Sequence, residues 1–151
     1  MLIFSTIYST HWFQTTIELS QKSRGCHLVT KEVLSKISPE LSKFKVGLAT
    51  FFLQHTSAGL SINENADPTV RADMSMTLDH IIPETLPYKH DDEGPDDMPA
   101  HVKSTLVGVS LTVPISNGDL AFGTWQGIWL NEFRNHGGKR RIVVTLFGQG
   151  K

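Results

Sequence analysis

A chain of 151 residues, 39% hydrophobic and 19% charged, has the balance of one ordinary folded domain, not of a disordered segment. At that length folding buries about 70% of the surface an unfolded chain exposes, so neither a disulfide nor a structural metal is required. A net charge of −1 excludes the basic excess of a nucleic-acid binder. The one basic run, Lys139-Arg140-Arg141, reads as a solvated turn. Cys26 is the only cysteine, which rules out an intrachain disulfide or a thiolate cluster and suits a small buried side chain. Met1-Leu2-Ile3-Phe4 is apolar, but Ser5, Thr6 and Ser9 break the run before it could serve as a signal or a membrane span. The expectation is a single cytoplasmic domain over residues 1–151 with no membrane partner.

Trp12 to Leu19 opens the predicted elements. Phe13, Ile17 and Leu19 fall on one face and Gln14, Thr16 and Glu18 on the other, the period of a half-buried strand. A turn at Lys22–Gly25 leads to a helix capped by Thr30, with Val33, Leu34, Ile37 and Leu41 at helical spacing and Val29 stapled to Leu34. Pro39 should end or loosen it. Val46 to Gln54 is apolar on both faces, as in a central strand covered on both sides. Asp67-Pro68 starts a second helix, with a capping carboxylate and proline at the first helical position. Its stripe is Val70, Met74, Leu78 and Ile81, and Pro83 stops it.

The last third alternates Val107, Val109, Leu111, Val113 and Ile115 with small or polar residues. Asn117-Gly118 is a hairpin turn of the type that needs positive φ at both central positions. Leu120 to Asn131 returns, Asn135 to Lys139 turns, and Ile142 to Phe147 closes a β-meander. Pro114 cannot donate to a ladder and marks an edge or a bulge. Segregated helices and strands predict an α+β fold: a mostly antiparallel sheet, two main helices and this meander.

Polar residues concentrate in three places. His55-Thr56-Ser57-Ala58-Gly59 follows the apolar strand, and Asn63-Glu64-Asn65 and Asp67 come soon after. Backbone N–H groups there can present to an anion, and polar groups set among Leu60, Ile62 and Ala66 call for partners; the competing reading is a turn and a helix cap. His90 and His101 bracket the acidic loop Asp91–Asp97, a donor set suited to Zn²⁺, Mn²⁺ or Fe²⁺, with carboxylates alone suiting Mg²⁺. No standard zinc spacing is present, and a solvated loop with incidental histidines is the alternative. His101, Lys103 and Ser104 fall in the opening turns of a short helix, where a phosphate would meet free donors. Asp73 and His80, seven apart, share a helix face as an acid–base pair or a structural hydrogen bond. Trp125 and Trp129 share a face with Gly123 and Gly127, for a flat ligand, a core or an interface.

Taken together these strings resemble the YjbQ-like family, also called the secondary thiamine-phosphate synthase family. Ser23–Thr30, His55–Leu60, Asn63–Pro68 and Asp73 match its early and central blocks, and Glu93–His101 resembles one branch of it. Ser110–Val113, Gly118, Gly123–Ile128, Gly137-Gly138 and Arg140-Arg141 complete the likeness, which runs from about Trp12 to Gly148. Phe133 departs, standing where close relatives often carry His. The resemblance implies a homotrimer with polar sites near subunit boundaries. It also implies an activity joining a pyrimidine diphosphate to a thiazole phosphate with loss of pyrophosphate, as a side reaction.

The first expectation is therefore a transferase acting on phosphorylated small molecules with a divalent metal, Zn, Mn or Mg. His55, His90 and His101 are the candidate metal ligands. Ser57, Asn63, Lys103, Ser104 and Arg140 are the candidate phosphate or ligand contacts. Glu64 and Asp73 are the candidate proton-transfer or orienting carboxylates. A metal-dependent hydrolase and a non-catalytic trimer binding a metabolite or ion are the alternatives.

Overall fold

The computed structural model describes residues 9–151, so the Met1–Phe4 run lies outside the described residues. In chain order the elements are β1 Thr10–Leu19, β2 Gly25–Leu28, α1 Thr30–Leu41, β3 Phe44–Leu53, β4 Ala58–Glu64, α2 Pro68–Ile81, α3 Asp97–Val107, β5 Ser110–Ser116, β6 Asp119–Leu120, β7 Gln126–Glu132 and β8 Arg140–Gly150. The α+β class and the antiparallel pairing are as expected, but the strands divide between two sheets. One has the order β1-β8-β3-β5-β6 and the other β2-β7-β4.

The expected C-terminal meander is therefore redistributed. β5 and β6 form the hairpin at Asn117-Gly118, with φ of 53° and 92°. The chain then leaves that sheet, and β7 runs between β2 and β4. β8 returns to the first sheet between β1 and β3. A continuous strand from Leu120 to Asn131 cannot serve both sheets, and residues 121–125 make the crossing. Trp125 lies on that crossing and is exposed, whereas Trp129 is fully buried on β7 and donates its indole N–H to the Glu64 carbonyl at 2.9 Å. The two tryptophans thus do not share a strand face.

Inward residues of both sheets and α1 make one core. Ile17, Leu19, Phe51, Leu53, Ile142, Val144 and Leu146 meet Leu60, Ile128 and Leu130, with Val33, Ile37 and Leu41 of α1 between them. Each such side chain contributes about 1.5–3 kcal/mol by leaving water. Pro39 does not end α1, which continues to Leu41. The Thr30 hydroxyl accepts from the Ile128 N–H at 2.9 Å, tying α1 to β7 where a side-chain cap was expected. α2 begins as predicted, with Asp67 accepting from the Thr69 N–H at 2.8 Å, yet none of its residues is buried and Ile81 is 62% exposed.

β3 is central, but among the described residues only one of its faces is covered. Val46, Leu48 and Phe52 point outward and are about half exposed. The register sets Trp12, Phe147, Leu48 and Pro114 in one row across the open face of the large sheet. Pro114 is tolerated because its outer neighbour, β6, is only two residues long. Among the described residues no helix is long and apolar enough to cross a membrane.

Candidate functional site

The two sheet-to-sheet crossings at one end of the molecule, β3 to β4 and β7 to β8, lie side by side. The first carries His55, Thr56 and Ser57; the second carries Phe133 to Lys139. The Phe133 N–H donates to the Ser57 carbonyl at 3.3 Å, joining them. α3 covers this end by packing on β4, where a Cβ at Gly59 would lie 2.8 Å from Val107 Cγ1 and 3.0 Å from the Gly108 carbonyl oxygen. Only glycine permits that approach, and it fixes the height of the helix over the crossing.

α3 and the loop before it bring three ligand-type groups together. Asp97 and His101, one helical turn apart, face the same way, and His90 comes from the loop. One ligand atom from each of His90, Asp97 and His101 lies within 4.8 Å of the others. Asp97 Oδ2 is 2.9 Å from His90 Nε2 and 3.3 Å from His101 Nε2. His101 Nδ1 lies 2.9 Å from the Thr56 carbonyl oxygen, which can only accept. The ring proton is therefore assigned to Nδ1, leaving a lone pair on Nε2 that faces a carboxylate oxygen. Two acceptors at that separation repel unless a proton or a cation stands between them.

The second crossing holds the carboxylates in place. Arg134 pairs with both Asp97 and Asp96, the latter through Nε at 3.0 Å, and donates to the Glu93 carbonyl at 2.9 Å. Burial alone would raise the Asp96 pKa. The Asn135 N–H and the Arg134 guanidinium overcome that and hold it below the usual carboxylate value. Beneath them Arg140 and Glu132 form a buried two-point pair, 2.6 and 2.8 Å. A Cβ on Gly137 would sit 2.5 Å from the Glu132 carboxyl carbon, so the turn closes over this pair only as glycine.

His55, Thr56, Ser57, His101, Arg134 and Arg140 line a polar cavity of about 360 Å³, together with Glu93, Asp97 and His136. His55 Nδ1 accepts from the Ser57 N–H at 3.0 Å, which leaves Nε2–H as the donor of a neutral ring. Loss of hydration, then the charge of Arg140, push the His55 pKa down. An apolar groove of about 850 Å³ adjoins this cavity through His55, Thr56 and His101, and Phe52, Leu53 and Val109 line it.

The sequence-predicted residues are thus dispersed. His90 and His101 meet, with Asp97 as a third member, and His55 lies on the cavity wall outside that triad. Ser57 is buried with its Oγ 3.3 Å from His101 Nδ1, and Ser104 donates from Oγ to the Ala58 carbonyl at 2.7 Å. Arg140 reaches the cavity only as the partner of Glu132. Lys103, expected to face a phosphate, is 1% exposed on another side of α3, in an ion pair with Asp79. Asn63 and Glu64 end the strand that Ala58 begins, so six residues, about 20 Å of extended chain, separate Glu64 from Ala58. Asp73 and His80 are exposed on α2. Asp97 entered only as one carboxylate of the acidic loop, and Arg134, Glu132 and His136 were not singled out from the sequence as site residues. The i, i+4 spacing of Asp97 and His101 was the signal available for one of them; Arg134 carried none.

Fold and cavity together define a small antiparallel α+β domain with a histidine–carboxylate pocket at one end of its paired sheets. The family model described as "UPF0047 protein YjbQ-like" matches residues 15–149, and the chain belongs to that family. It is 51% identical over 138 residues to a UPF0047 protein YjbQ of Escherichia coli, covering 91% of this chain and 99% of that one. A Salmonella typhimurium relative of the same description is 53% identical with the same coverage. A crystal structure of a Clostridium acetobutylicum protein described as uncharacterized and of the YjbQ/UPF0047 family superposes with a TM-score of 0.74 at 36% identity, covering 88% of this chain and 98% of that one. A Sulfolobus solfataricus protein of unknown function gives a TM-score of 0.81 at 23% identity, covering 93% and 99%, a likeness of fold alone.

Proposed function

We propose that His90, Asp97 and His101 hold a divalent cation and that the cavity acts on a phosphorylated small molecule. The observation that carries this reading is the convergence of His90 Nε2 and His101 Nε2 on Asp97 Oδ2, at 2.9 and 3.3 Å, with the His101 ring held from behind at Nδ1 by the Thr56 carbonyl. A histidine whose far nitrogen is held by a carbonyl is the usual support of a metal ligand. Two imidazoles and one carboxylate favour Zn²⁺, Mn²⁺ or Fe²⁺ over Mg²⁺.

Such a cation, when bound, supplies charge neutralisation at phosphate oxygens or an activated water. The protein's own groups complete the site. Arg134 holds the other oxygen of Asp97, so the carboxylate keeps one orientation. His55, kept neutral by lost hydration and by Arg140, offers Nε2–H to an oxyanion. The neighbouring apolar groove gives an organic body a place beside the polar head.

Within this reading the reaction is the one the family resemblance implies, transfer of a pyrimidine from its diphosphate to a thiazole phosphate. Pyrophosphate release with both substrates should stop in EDTA and return with Zn²⁺ or Mn²⁺. Turnover unaffected by EDTA would reject the metal. Phosphate release from one substrate alone would favour a hydrolase, and no product from any phosphorylated substrate would leave a binding protein. We extend the proposal to assembly as a homotrimer in the cytoplasm, supported by the open row Trp12–Phe147–Leu48–Pro114 and by α2, none of whose residues is buried.

A further inference from the structure

A second cleft, of about 490 Å³, lies between β2 and α2, away from the histidine cavity. Arg24, Cys26 and His27 line one side and Arg71, Ser75 and Asp79 the other. The charges around it do not balance. Asp79 pairs with Arg24 at 2.7 Å and with the buried Lys103, and Glu84 pairs with Arg24 as well. Those two carboxylates answer two of the three cations and leave Arg71.

Arg71 Nη1 is buried and has no hydrogen-bond partner among the described residues. Asp67 feels its charge without forming an ion pair with it, and the Thr69 N–H and hydroxyl, both at 2.8 Å, take Oδ1 of that carboxylate. Leaving a buried guanidinium nitrogen unpaired is costly, and such a group calls for an acceptor from outside the chain, a water, an ion or a ligand. Burial pushes the Cys26 pKa up to about 11, so it stays a neutral thiol, and His27 donates Nε2–H to the Ser23 carbonyl at 2.7 Å, which leaves a ring lone pair at Nδ1 but no anionic charge to answer Arg71.

We propose that this cleft binds a small oxyanion, a phosphate or carboxylate group, on the Arg71 guanidinium with the Ser75 hydroxyl beside it. Arg71 lines the cleft, and the planar fork of a guanidinium matches the paired oxygens of such a group. The site is separate from the metal cavity, so the two stand or fall independently.

Calorimetric titration of the full chain with inorganic phosphate, and separately with acetate, tests this in wild type, Arg71→Met, Arg71→Lys and His101→Ala. Phosphate should bind wild type and His101→Ala alike. Arg71→Met should weaken it by about tenfold or more, and Arg71→Lys by less, because the charge remains without the fork. Tighter binding of acetate than phosphate would identify the carboxylate source, and the reverse the phosphate source. The unliganded Tm of Arg71→Met should equal or exceed that of wild type, since the variant removes a buried charge that pairs with nothing. No binding of either anion by wild type, or undiminished binding by Arg71→Met, would overturn the proposal. So would a lower unliganded Tm, a failure to fold or a changed assembly mass in that variant. Any of those would mean that Arg71 already has a protein partner, such as Glu64, whose Oε2 is also buried without one.

Discussion

Replacing Glu132 with Ala should be among the most damaging single changes in the molecule. Glu132 is fully buried and Arg140 is 5% exposed, and their two-point contact satisfies both charges. Removing the carboxylate strands the guanidinium, which costs about 3–5 kcal/mol for a broken buried pair. For a chain of this size each kcal/mol moves Tm by about 2–4 °C, so the expected fall is about 6–20 °C. The turn over Gly137 also loses the carboxylate against which it packs. Urea unfolding followed by circular dichroism measures the effect; the midpoint should drop with an unchanged slope. Glu132→Leu combined with Arg140→Met should recover most of the loss, because the apolar pair strands nothing. A loss below about 1 kcal/mol for Glu132→Ala would refute the reasoning, since it would mean that water reaches Arg140 freely.

Gly59→Ala should lower stability by about 1–3 kcal/mol through overpacking against Val107 and the Gly108 carbonyl; an unchanged Tm would show that α3 yields at no cost. His55 has a folded pKa below its unfolded value of about 6.5. The unfolded chain therefore takes up that proton first, and stability falls as pH drops from about 6.5 through the folded pKa. His55→Gln should flatten that limb of the Tm–pH curve, and identical slopes would contradict the shift. Leu48→Lys, which places a charge in the middle of the open apolar row, should turn a trimeric mass in light scattering into a monomeric one. Retained assembly would put the interface elsewhere.

How much the sequence disclosed depends on the range of the interaction. Alternation in Phe13, Ile17 and Leu19 and the Asp67-Pro68 cap are local, and both elements formed where expected. The positive φ of Asn117 and Gly118 was equally legible. The split into two sheets was not, because strands with alternating side chains fit either sheet and the crossing at 121–125 has no pattern of its own. Apolar residues on both faces of β3 read as double coverage, whereas among the described residues the second face is bare. At the site, histidines flanking an acidic loop could be singled out, but their meeting depends on Arg134 clamping Asp96 and Asp97 from a segment 37 residues away. Lys103 shows the reverse: its place in an opening helical turn suggested phosphate, and an ion pair reaching across to α2 gave it to Asp79.

The most direct test of the central claim is the metal content of the histidine–carboxylate triad. After equilibration with Zn²⁺ and desalting, the wild-type chain should retain about one ion per subunit by mass spectrometry of the metal. Anomalous density at the zinc edge should fall between His90, Asp97 and His101. Asp97→Asn and His101→Ala should each lose the ion while Arg71→Met keeps it. A wild-type chain that retains no stoichiometric metal, or a His101→Ala variant that retains it undiminished, would contradict the account.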